Sequence, residues 1–240
     1  MHLSVDLFIL LYSSAFRQFY KKHGRDFPWR HNGTTPFGML VAEMLLRQTQ
    51  AVQVAVIWPS LLERYPRPRE LAAADPKELF ELLAPLGLGN QRTQALEAMS
   101  TILVQKHRGR VPRGIDALLA LPHVGLYAAH ATACFAFGQA VPVVDVNVLR
   151  VLGRVFGETY GLDNRRAPRA WEVAQQIMPS KGSIRDHNYG MLDFSALICT
   201  PRKPLCRECP INGKCTWCWE HVWSKVDMTQ QMPSAPPWPR

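Results

Sequence analysis

Four cysteines near the end of the chain constrain its fold more than any other feature. The stretch CTPRKPLCRECPINGKC, residues 199–215, spaces them as C-x6-C-x2-C-x5-C. Five of the six cysteines lie within residues 199–218, a density that favours a metal site over disulfides spread through a secreted fold. A zinc set of two C-x2-C pairs is open on spacing alone, although the linker between the pairs is much shorter than the about 15 to 20 residues common in such sites. That alternative set is Cys206, Cys209, Cys215 and Cys218.

The overall charge favours a polyanionic partner. The formal net charge is +9, with 28 Lys and Arg against 19 Asp and Glu. Lys and Arg gain free energy when they displace counterions from phosphates, although an ordinary alkaline enzyme is the alternative. No apolar run approaches the ~20 residues needed to cross a bilayer. The opening apolar stretch has Asp6 and no preceding Lys or Arg, so we expect a cytoplasmic protein without a signal peptide or a membrane partner.

The hydrophobic pattern predicts helices along most of the chain. Apolar residues recur at helical spacing in TPFGMLVAEMLLRQTQAVQVAVIWPSLLERY, DPKELFELLAPLG and NQRTQALEAMSTILVQKH. Thr35 and Asp75 each precede a proline and are typical of helix N-terminal caps. AVPVV, residues 140–144, is the one hint of a strand, so we predict an all-α fold. Residues 219–240 lose the periodicity and gain proline, which predicts a flexible tail.

Two neighbouring motifs suggest a site for a phosphate and a carboxylate. LPHVGLYAAHA, residues 121–131, predicts a tight turn followed by a helix that begins near Leu126. The unpaired N–H groups at a helix N-terminus suit a phosphate, although the same pattern occurs in plain helical hairpins. VPVVDVNVLRV, residues 141–151, places Asp145 at an expected helix start, where Asp is often a capping residue alone.

In this order, the motifs resemble those of the helix-hairpin-helix DNA glycosylases of the endonuclease III and MutY superfamily. The resemblance covers residues 15–218 and includes RDFPWR, EMLLRQTQ, GLGNQR and DHNYGMLDFSALICTPRKPLC. Within the superfamily, the sequence is most similar to the short mismatch-specific thymine glycosylases, which act on T or U opposite G. The resemblance implies an all-α helix-hairpin-helix fold of two helical lobes and a hydrolase of base excision repair.

The resemblance also implies a cofactor. The cysteine spacing matches the family's [4Fe-4S] pattern, so Cys199, Cys206, Cys209 and Cys215 are the expected cluster ligands and Cys218 is not. The loop between the ligands carries four cations against Glu208 alone, and we expect them to offset the cluster's negative charge and to face DNA phosphate. These cations are Arg202, Lys203, Arg207 and Lys214. A solvated charged surface is the alternative.

The resemblance assigns the catalytic residues. Breaking an N-glycosidic bond builds positive charge on the sugar, which a nearby carboxylate stabilises. Asp145 matches that carboxylate, and Glu43 matches the catalytic Glu of MutY, which activates water or hydrogen-bonds the departing base. Tyr127 occupies the position at which glycosylases that also nick DNA carry Lys. A phenol cannot form a Schiff base, so we expect base removal that stops at an abasic site.

The base must leave the duplex before it can react, and the resemblance places the residues that assist this step. We expect Leu88 to fill the gap while Arg47 and Gln48 hold the orphan guanine. We expect Asn147 to order the turn of Asp145. His123 replaces the first Gly of the family's L-P-G-V-G turn, and His adopts a positive φ at some cost. The full set expected to contact substrate or DNA is Arg47, Gln48, Leu88, Asn90, His123, Gly125 and Asn147.

The resemblance divides the chain into a helical lobe at 34–146, a cluster lobe at 1–33 and 147–218, and the tail. We expect a monomer, associated with the nucleoid, that binds mismatched double-stranded DNA and hands its product to an abasic-site endonuclease. Three alternatives are open. They are a MutY-like adenine glycosylase, which the short chain disfavours because it lacks the second domain of the longer MutY enzymes, a bifunctional glycosylase/lyase, and a noncatalytic iron–sulfur DNA-binding module.

Overall fold

A computed structural model describes residues 5–161, 163, 167–179 and 183–225, and within these the chain is helical with no β-strand. It divides into two compact units. We call Met1–Arg25 with Ala140–Arg240 the terminal unit, and Asp26–Gln139 the central unit. The sequence analysis placed the corresponding boundaries at 33/34 and 146/147. No described helix is both long and apolar enough to span a membrane.

The central unit contains seven of the α-helices in the described part of the chain. They are α2 (Pro36–Leu45), α3 (Ala51–Arg64), α4 (Pro68–Ala72), α5 (Pro76–Leu83), α6 (Gly89–His107), α7 (Ile115–Leu119) and α8 (Leu126–Phe137). Two predicted caps are confirmed: the Thr35 hydroxyl accepts from the N–H of Gly38 at 3.0 Å, and the Asp75 carboxylate accepts from the N–H groups of Lys77 and Glu78. Both side chains satisfy donors that have no partner inside the helix.

Helix α2 forms the core of the central unit. Every position from Phe37 to Leu45 is buried, and the helix packs against α8, α3 and α6. Apart from Glu43 its side chains are apolar, and such a helix is stable only when neighbours cover it completely. The indole N–H of Trp58 on α3 donates to the carbonyl of Gly38 at 2.9 Å, which fixes α3 against the first turn of α2.

The terminal unit contains the remaining described helices. They are α1 (Val5–His23), α9 (Val146–Phe156), α10 (Pro168–Gln176), α11 (Ile184–Leu197) and α12 (Thr216–His221). Its core includes an aromatic group in which the Phe194 ring packs edge-on against the rings of Phe16 and Phe19 at 5.4 and 5.6 Å. Such edge-to-face pairs add to the free energy gained by burying the rings.

Close approach of α1 and α11 depends on a glycine. A Cβ added at Gly190 would lie 2.1 Å from the carbonyl oxygen of Phe16, so no side chain fits there without moving a helix. The carboxylate of Asp193, one turn further along α11, is fully buried and accepts from both the backbone N–H and the Nε of Arg25. These contacts fasten the N-terminal segment of the terminal unit to α11.

The strand hinted at by AVPVV does not form. Residues 141–144 lie outside any helix or ladder, and the buried side chain of Asn188 occupies the place of a neighbouring strand. Its amide oxygen accepts from the N–H of Val143 at 3.0 Å, and its amide nitrogen donates to the carbonyl of Val141 at 3.1 Å. A valine-rich run favours extended backbone, but a single segment in this unit has only a side chain to pair with.

The predicted tail begins inside regular structure. Helix α12 runs to His221 and a short 3-10 segment covers Trp223–Lys225, with Val222 and Trp223 packed against the core of the terminal unit. The prediction for residues 226–240 lies outside the described residues.

Candidate functional site

Asp145 caps helix α9 and has both carboxylate oxygens occupied. One oxygen accepts from the backbone N–H of Val148 at 2.7 Å, and the other accepts from the side-chain amide of Asn147 at 2.9 Å. The carboxylate is half-buried at the N-terminal, positive end of the α9 dipole. The predicted role of Asn147 in ordering this turn agrees with the hydrogen bond. The result is a fixed negative charge at the head of a helix.

Arg150 extends this arrangement along α9. Its Nη1 donates to the amide oxygen of Asn147 at 2.9 Å, and its other nitrogens donate to the carbonyls of Ser195 and Cys199 at 2.8 and 2.9 Å. Burial lowers the pKa of Arg150, against the opposing effects of Cys199 and Asp145. Asp145, Asn147 and Arg150 therefore form one hydrogen-bonded row that ends on the backbone of the first cysteine of the 199–215 loop.

Arg154, one turn further, holds the start of the same loop. Its guanidinium donates to the carbonyls of Thr200 and Pro201 at 2.7 and 2.8 Å and approaches the sulfur of Cys199 at 3.4 Å. It also lies over the ring of Trp217, 4.8 Å from the ring centroid. This geometry combines hydrogen bonds with a cation–π contact and fixes the guanidinium beside the sulfur.

The cysteines gather around one small cavity inside the terminal unit. Its lining includes the sulfur-bearing residues Cys199, Cys206, Cys209, Cys215 and Cys218, together with apolar side chains. All five are free thiols, and burial raises the pKa of Cys209 and Cys206, and that of Cys215 to about 11. Buried thiols of this kind stay protonated at neutral pH unless a metal displaces the proton.

The donor set fits an iron–sulfur cluster in its chemistry. Soft thiolates converging from one loop on one apolar cavity are the ligands that such clusters take. No described group of three or more His, Cys, Asp or Glu side chains is arranged around a single metal ion. A four-iron cluster places each thiolate on a different iron, so its ligands need not converge on one point. Cys199, Cys206, Cys209 and Cys215 could therefore hold a cluster.

The hairpin lies in the central unit and follows the predicted pattern. His123 adopts φ +61°, so the expected left-handed conformation is confirmed, and Gly125 precedes α8 as its N-cap in extended backbone. Tyr127 is half-buried in the first turn of α8. The stretch from Leu121 to Ala131 contains no lysine. The hairpin thus presents a helix N-terminus and a phenol, and no amine.

Glu43 lies on α2 and is only 2% exposed. Charged side chains are rarely buried to this degree without a partner or a role, so its burial separates Glu43 from an ordinary residue on the polar side of a helix. Glu43 and Tyr127 belong to the central unit, whereas Asp145 and Asn147 belong to the terminal unit.

Four predicted DNA-contact residues line one pocket of about 280 Å³ in the central unit, which we call the turn pocket. They are Arg47, Gln48, Leu88 and His123, and Gln91, Gln94 and Arg92 line the same pocket. Arg47 Nη1 donates to the carbonyl of His123 at 3.0 Å. Asn90 is exposed in the first turn of α6 and is not part of the lining.

Sequence reasoning missed the residues that hold these sites in place. Arg92, Arg150 and Asn188 each bind backbone groups that are distant in the sequence. A side chain that hydrogen-bonds to backbone groups has no partner side chain of opposite charge and no fixed spacing, so no sequence pattern reveals it. Gln91 and Gln94 flank Arg92 in the GNQRTQ stretch. Their spacing of three residues places both amides on one face of a helix, and this was the signal in the sequence for a polar pocket there.

Comparison with known proteins gives a family match and similar enzymes. Residues 41–160 match the model of the HhH-GPD superfamily of base excision DNA repair proteins. The chain is 37% identical over 207 residues to the thymine/uracil-DNA glycosylase of Methanothermobacter thermautotrophicus, covering 86% of this chain and 93% of that enzyme. It is 35% identical to the adenine DNA glycosylase of Mycobacterium tuberculosis (strain CDC 1551 / Oshkosh), covering 85% of this chain and 66% of that enzyme.

A solved structure of a thermostable thymine-DNA glycosylase superimposes on the chain with a TM-score of 0.83. It is 36% identical, and the match covers 88% of this chain and 97% of the solved one. The all-α helix-hairpin-helix fold predicted from the sequence is confirmed. The chain therefore belongs to the HhH-GPD superfamily of base excision DNA repair proteins.

Proposed function

We propose that this chain is a monofunctional DNA glycosylase that hydrolyses the N-glycosidic bond of thymine or uracil mispaired with guanine. The observation that carries the proposal is the carboxylate of Asp145, held by Val148 and Asn147 at the head of α9, in a chain that is similar to a thymine/uracil-DNA glycosylase. A fixed negative charge stabilises the cationic sugar that forms as the base departs.

In the proposed reaction, the bond between C1′ and the pyrimidine nitrogen breaks, and its electron pair leaves with the base. The oxygen of a water molecule bonds to C1′, and the proton released by that water is taken up by a general base and returned to the departing base. Glu43 is the proposed proton carrier. The products are a free pyrimidine and an abasic site in an intact strand.

Tyr127 supports hydrolysis without strand cleavage. Lyase activity in such enzymes needs an amine that attacks C1′ and forms a Schiff base. The hairpin offers the phenol of Tyr127 at the family position and contains no lysine. The abasic product then requires a separate abasic-site endonuclease, and we propose that the protein acts on double-stranded DNA as a monomer at the nucleoid.

DNA binding would use both units. In the central unit, the N–H groups of α8 beyond Gly125 suit a phosphate, and His123 and Asn90 are proposed to lie near the same strand. Leu88 is 49% exposed, as a side chain that enters a duplex must be. In the terminal unit, exposed cations of the cysteine loop, Arg202, Lys203 and Arg207, are proposed to contact phosphates.

A [4Fe-4S] cluster bound by Cys199, Cys206, Cys209 and Cys215 is part of the proposal. When bound, such a cluster cross-links its loop through four thiolates. The residues around it would do the remaining work: Arg154 offsets negative charge at Cys199, and the Tyr12 hydroxyl holds the loop by donating to the carbonyl of Lys214 at 2.7 Å. Cys218 lines the same cavity but is not a proposed ligand.

A panel of duplexes containing T·G, U·G and A·G pairs tests the proposal with purified full-length protein. We expect release of thymine and uracil, strand breakage only after alkali, and no covalent adduct after borohydride reduction. Adenine DNA glycosylase is the second candidate because a relative of that name is 35% identical. Release of adenine alone would favour it, and a borohydride adduct would contradict the role given to Tyr127.

Asp145→Asn sharpens the same experiment. Asparagine caps a helix as well as aspartate, so folding should be kept while excision falls at least about a hundredfold. Asp75→Asn is the matched control, because Asp75 also caps a helix through its carboxylate but lies at α5. Equal rates for Asp145→Asn and the wild-type chain would rule out the proposed mechanism.

A further inference from the structure

Three turns of the central unit adopt a backbone conformation that their residues disfavour. Gln48, Leu88 and His123 have φ values of +55°, +54° and +61°. Left-handed backbone is costly for residues with a Cβ and is adopted readily only by glycine. All three residues line the turn pocket, whereas Arg108, the other described non-glycine residue with a positive φ, lies at the C-terminal cap of α6.

Strain of this kind persists only where surrounding contacts fix it, and it is often found at functional sites. Glycine at these positions would adopt the same backbone without the steric cost, but it would remove the side chain. The presence of Gln, Leu and His at these positions therefore indicates that their side chains have a role that glycine could not fill. Something must also hold the strained backbone in place.

Arg92 is the residue that holds it. The side chain is 7% exposed, and its Nε donates to the carbonyl of Gly87 at 2.8 Å, directly before Leu88. Its Nη1 and Nη2 donate to the carbonyls of Leu45 and Arg47, both at 2.9 Å. Nη2 also contacts the hydroxyl of Thr49, so the guanidinium binds the turn of Gln48 on both sides.

The third turn is connected through Arg47. Arg92 holds the carbonyl of Arg47, and the guanidinium of Arg47 donates to the carbonyl of His123. The residues lining the turn pocket include no Asp or Glu, so two guanidinium groups are kept close together without a carboxylate between them. Burial and, to a lesser degree, the charge of Arg47 lower the pKa of Arg92, so holding the charged guanidinium at this place costs free energy.

We propose that Arg92 is a positioning residue for base excision, which fixes the spacing between the turns of Gln48 and Leu88 so that both side chains enter the duplex together. This inference rests on the proposed function. Only a planar guanidinium presents donors in enough directions to reach carbonyls on two separate turns. Arg92 acts through Gln48 and Leu88 and is not proposed to contact the reacting atoms.

A double-mutant cycle tests the inference on a U·G duplex under single-turnover conditions with full-length protein. Arg92→Met and Leu88→Ala should each slow excision about tenfold, and the double variant should stay within about threefold of the slower single variant. Such non-additivity arises when one residue acts through the other. A roughly hundredfold loss in the double variant would mean independent effects and would overturn the inference, as would a Leu88→Ala variant with the wild-type rate.

Arg64→Met is the matched control, because Arg64 is an arginine of the same unit whose guanidinium pairs with Glu78 away from the turns. We expect it to change the rate less than about twofold and to combine additively with Leu88→Ala. Arg92→Lys replaces Arg92→Met in the cycle if the latter does not fold. It keeps the charge, so full activity of Arg92→Lys would show that the geometry of the guanidinium is not needed and would overturn the inference.

The cycle distinguishes failure of the proposed function from failure of the positioning role. A wild-type chain that releases no uracil contradicts the proposed function, and the positioning role falls with it. An active wild-type chain with additive losses contradicts the positioning role alone.

Discussion

Both units use arginine to hold backbone carbonyls, but they hold backbone of different kinds. In the terminal unit, Arg150 and Arg154 donate to the carbonyls of Ser195, Cys199, Thr200 and Pro201, where no residue has a positive φ. In the central unit, Arg92 donates to carbonyls beside left-handed residues. The chemistry of the hydrogen bonds is the same, so what differs is the conformational cost of the segment that is held.

The two units therefore hold their functional segments in different ways. The cysteine loop is ordered by thiol side chains that line one cavity. Arg150 and Arg154 of α9 add hydrogen bonds to its backbone carbonyls. The turns of the turn pocket have no such centre, and a single guanidinium joins two of them. We therefore expect the structure of the cysteine loop to depend on its thiols, and the positions of the Gln48 and Leu88 turns to depend on Arg92.

Loss of a thiol ligand should have the largest effect. Cys209→Ser is expected to remove bound iron and visible absorbance and to lower the free energy of unfolding by at least about 3 kcal/mol, because a bound cluster stabilises only the folded loop. Iron content per chain and urea unfolding measure both effects. Cys218→Ser is the matched control, since Cys218 lines the same cavity and should keep its iron.

Cys199→Ser and Cys218→Ser together distinguish the two possible ligand sets, because Cys209 belongs to both. Loss of metal in Cys218→Ser, with metal kept in Cys199→Ser, would point to the zinc set of two C-x2-C pairs. Arg150 and Arg154 would then hold the backbone around Cys199, which would not be a metal ligand, so the arginines of the terminal unit would not support the metal site.

Acid should weaken the terminal unit before the central unit. The ring of His187 on α11 is fully buried, edge-on to Phe16, and burial lowers its pKa to about 4, with the charge of Arg17 acting in the same direction and the backbone of Ser13 opposing it. The unfolded chain binds this proton near pH 6.5, whereas the folded chain binds it only near pH 4. The contribution of the neutral His187 ring to the free energy of unfolding is therefore fully present above pH 6.5 and falls by about 3 kcal/mol as the pH drops to 4.

Urea unfolding from pH 7 to pH 4 measures this loss, and His187→Phe should remove it while keeping an aromatic ring at the position. The guanidinium of Arg92 keeps its charge throughout this range. An unchanged pH dependence in His187→Phe would show that other groups cause acid unfolding.

Local chemistry explains why much of the fold could be predicted from the sequence. Thr35, Asp75 and Asp145 were identified as caps because capping depends on a side chain and the next three residues. The left-handed turn at His123 was expected because the family has glycine there. The segment at 140–144, the one hint of a strand in a chain predicted to be all-α, forms no strand, because β-propensity reports a preference for extended backbone and not the presence of a partner strand.

The turn pocket shows what local chemistry leaves out. Gln48 and Leu88 disfavour left-handed backbone, so nothing in their identity signals it. Arg92 sits in a helical stretch of polar residues and reads as a surface residue, yet its acceptors at Leu45 and Arg47 lie more than forty positions earlier in the sequence. Contacts of this kind are set by tertiary packing and become visible only in the folded chain.

The smallest expected effect tests the cost of the strained turns directly. Gln48→Gly should raise the free energy of unfolding by about 0.5 to 1 kcal/mol, because glycine adopts φ +55° without steric cost and loses part of that gain to backbone entropy. The same variant should slow excision, because the amide proposed to hold the orphan guanine is gone. Arg108→Gly is the matched control: Arg108 has φ +54° at the C-terminal cap of α6 and lies outside the turn pocket. It should gain similar stability and keep the wild-type rate. If Gln48→Gly kept the wild-type rate as well, the Gln48 side chain would not be needed for excision. The left-handed turns would then distinguish the two units in backbone conformation but not in their contribution to activity.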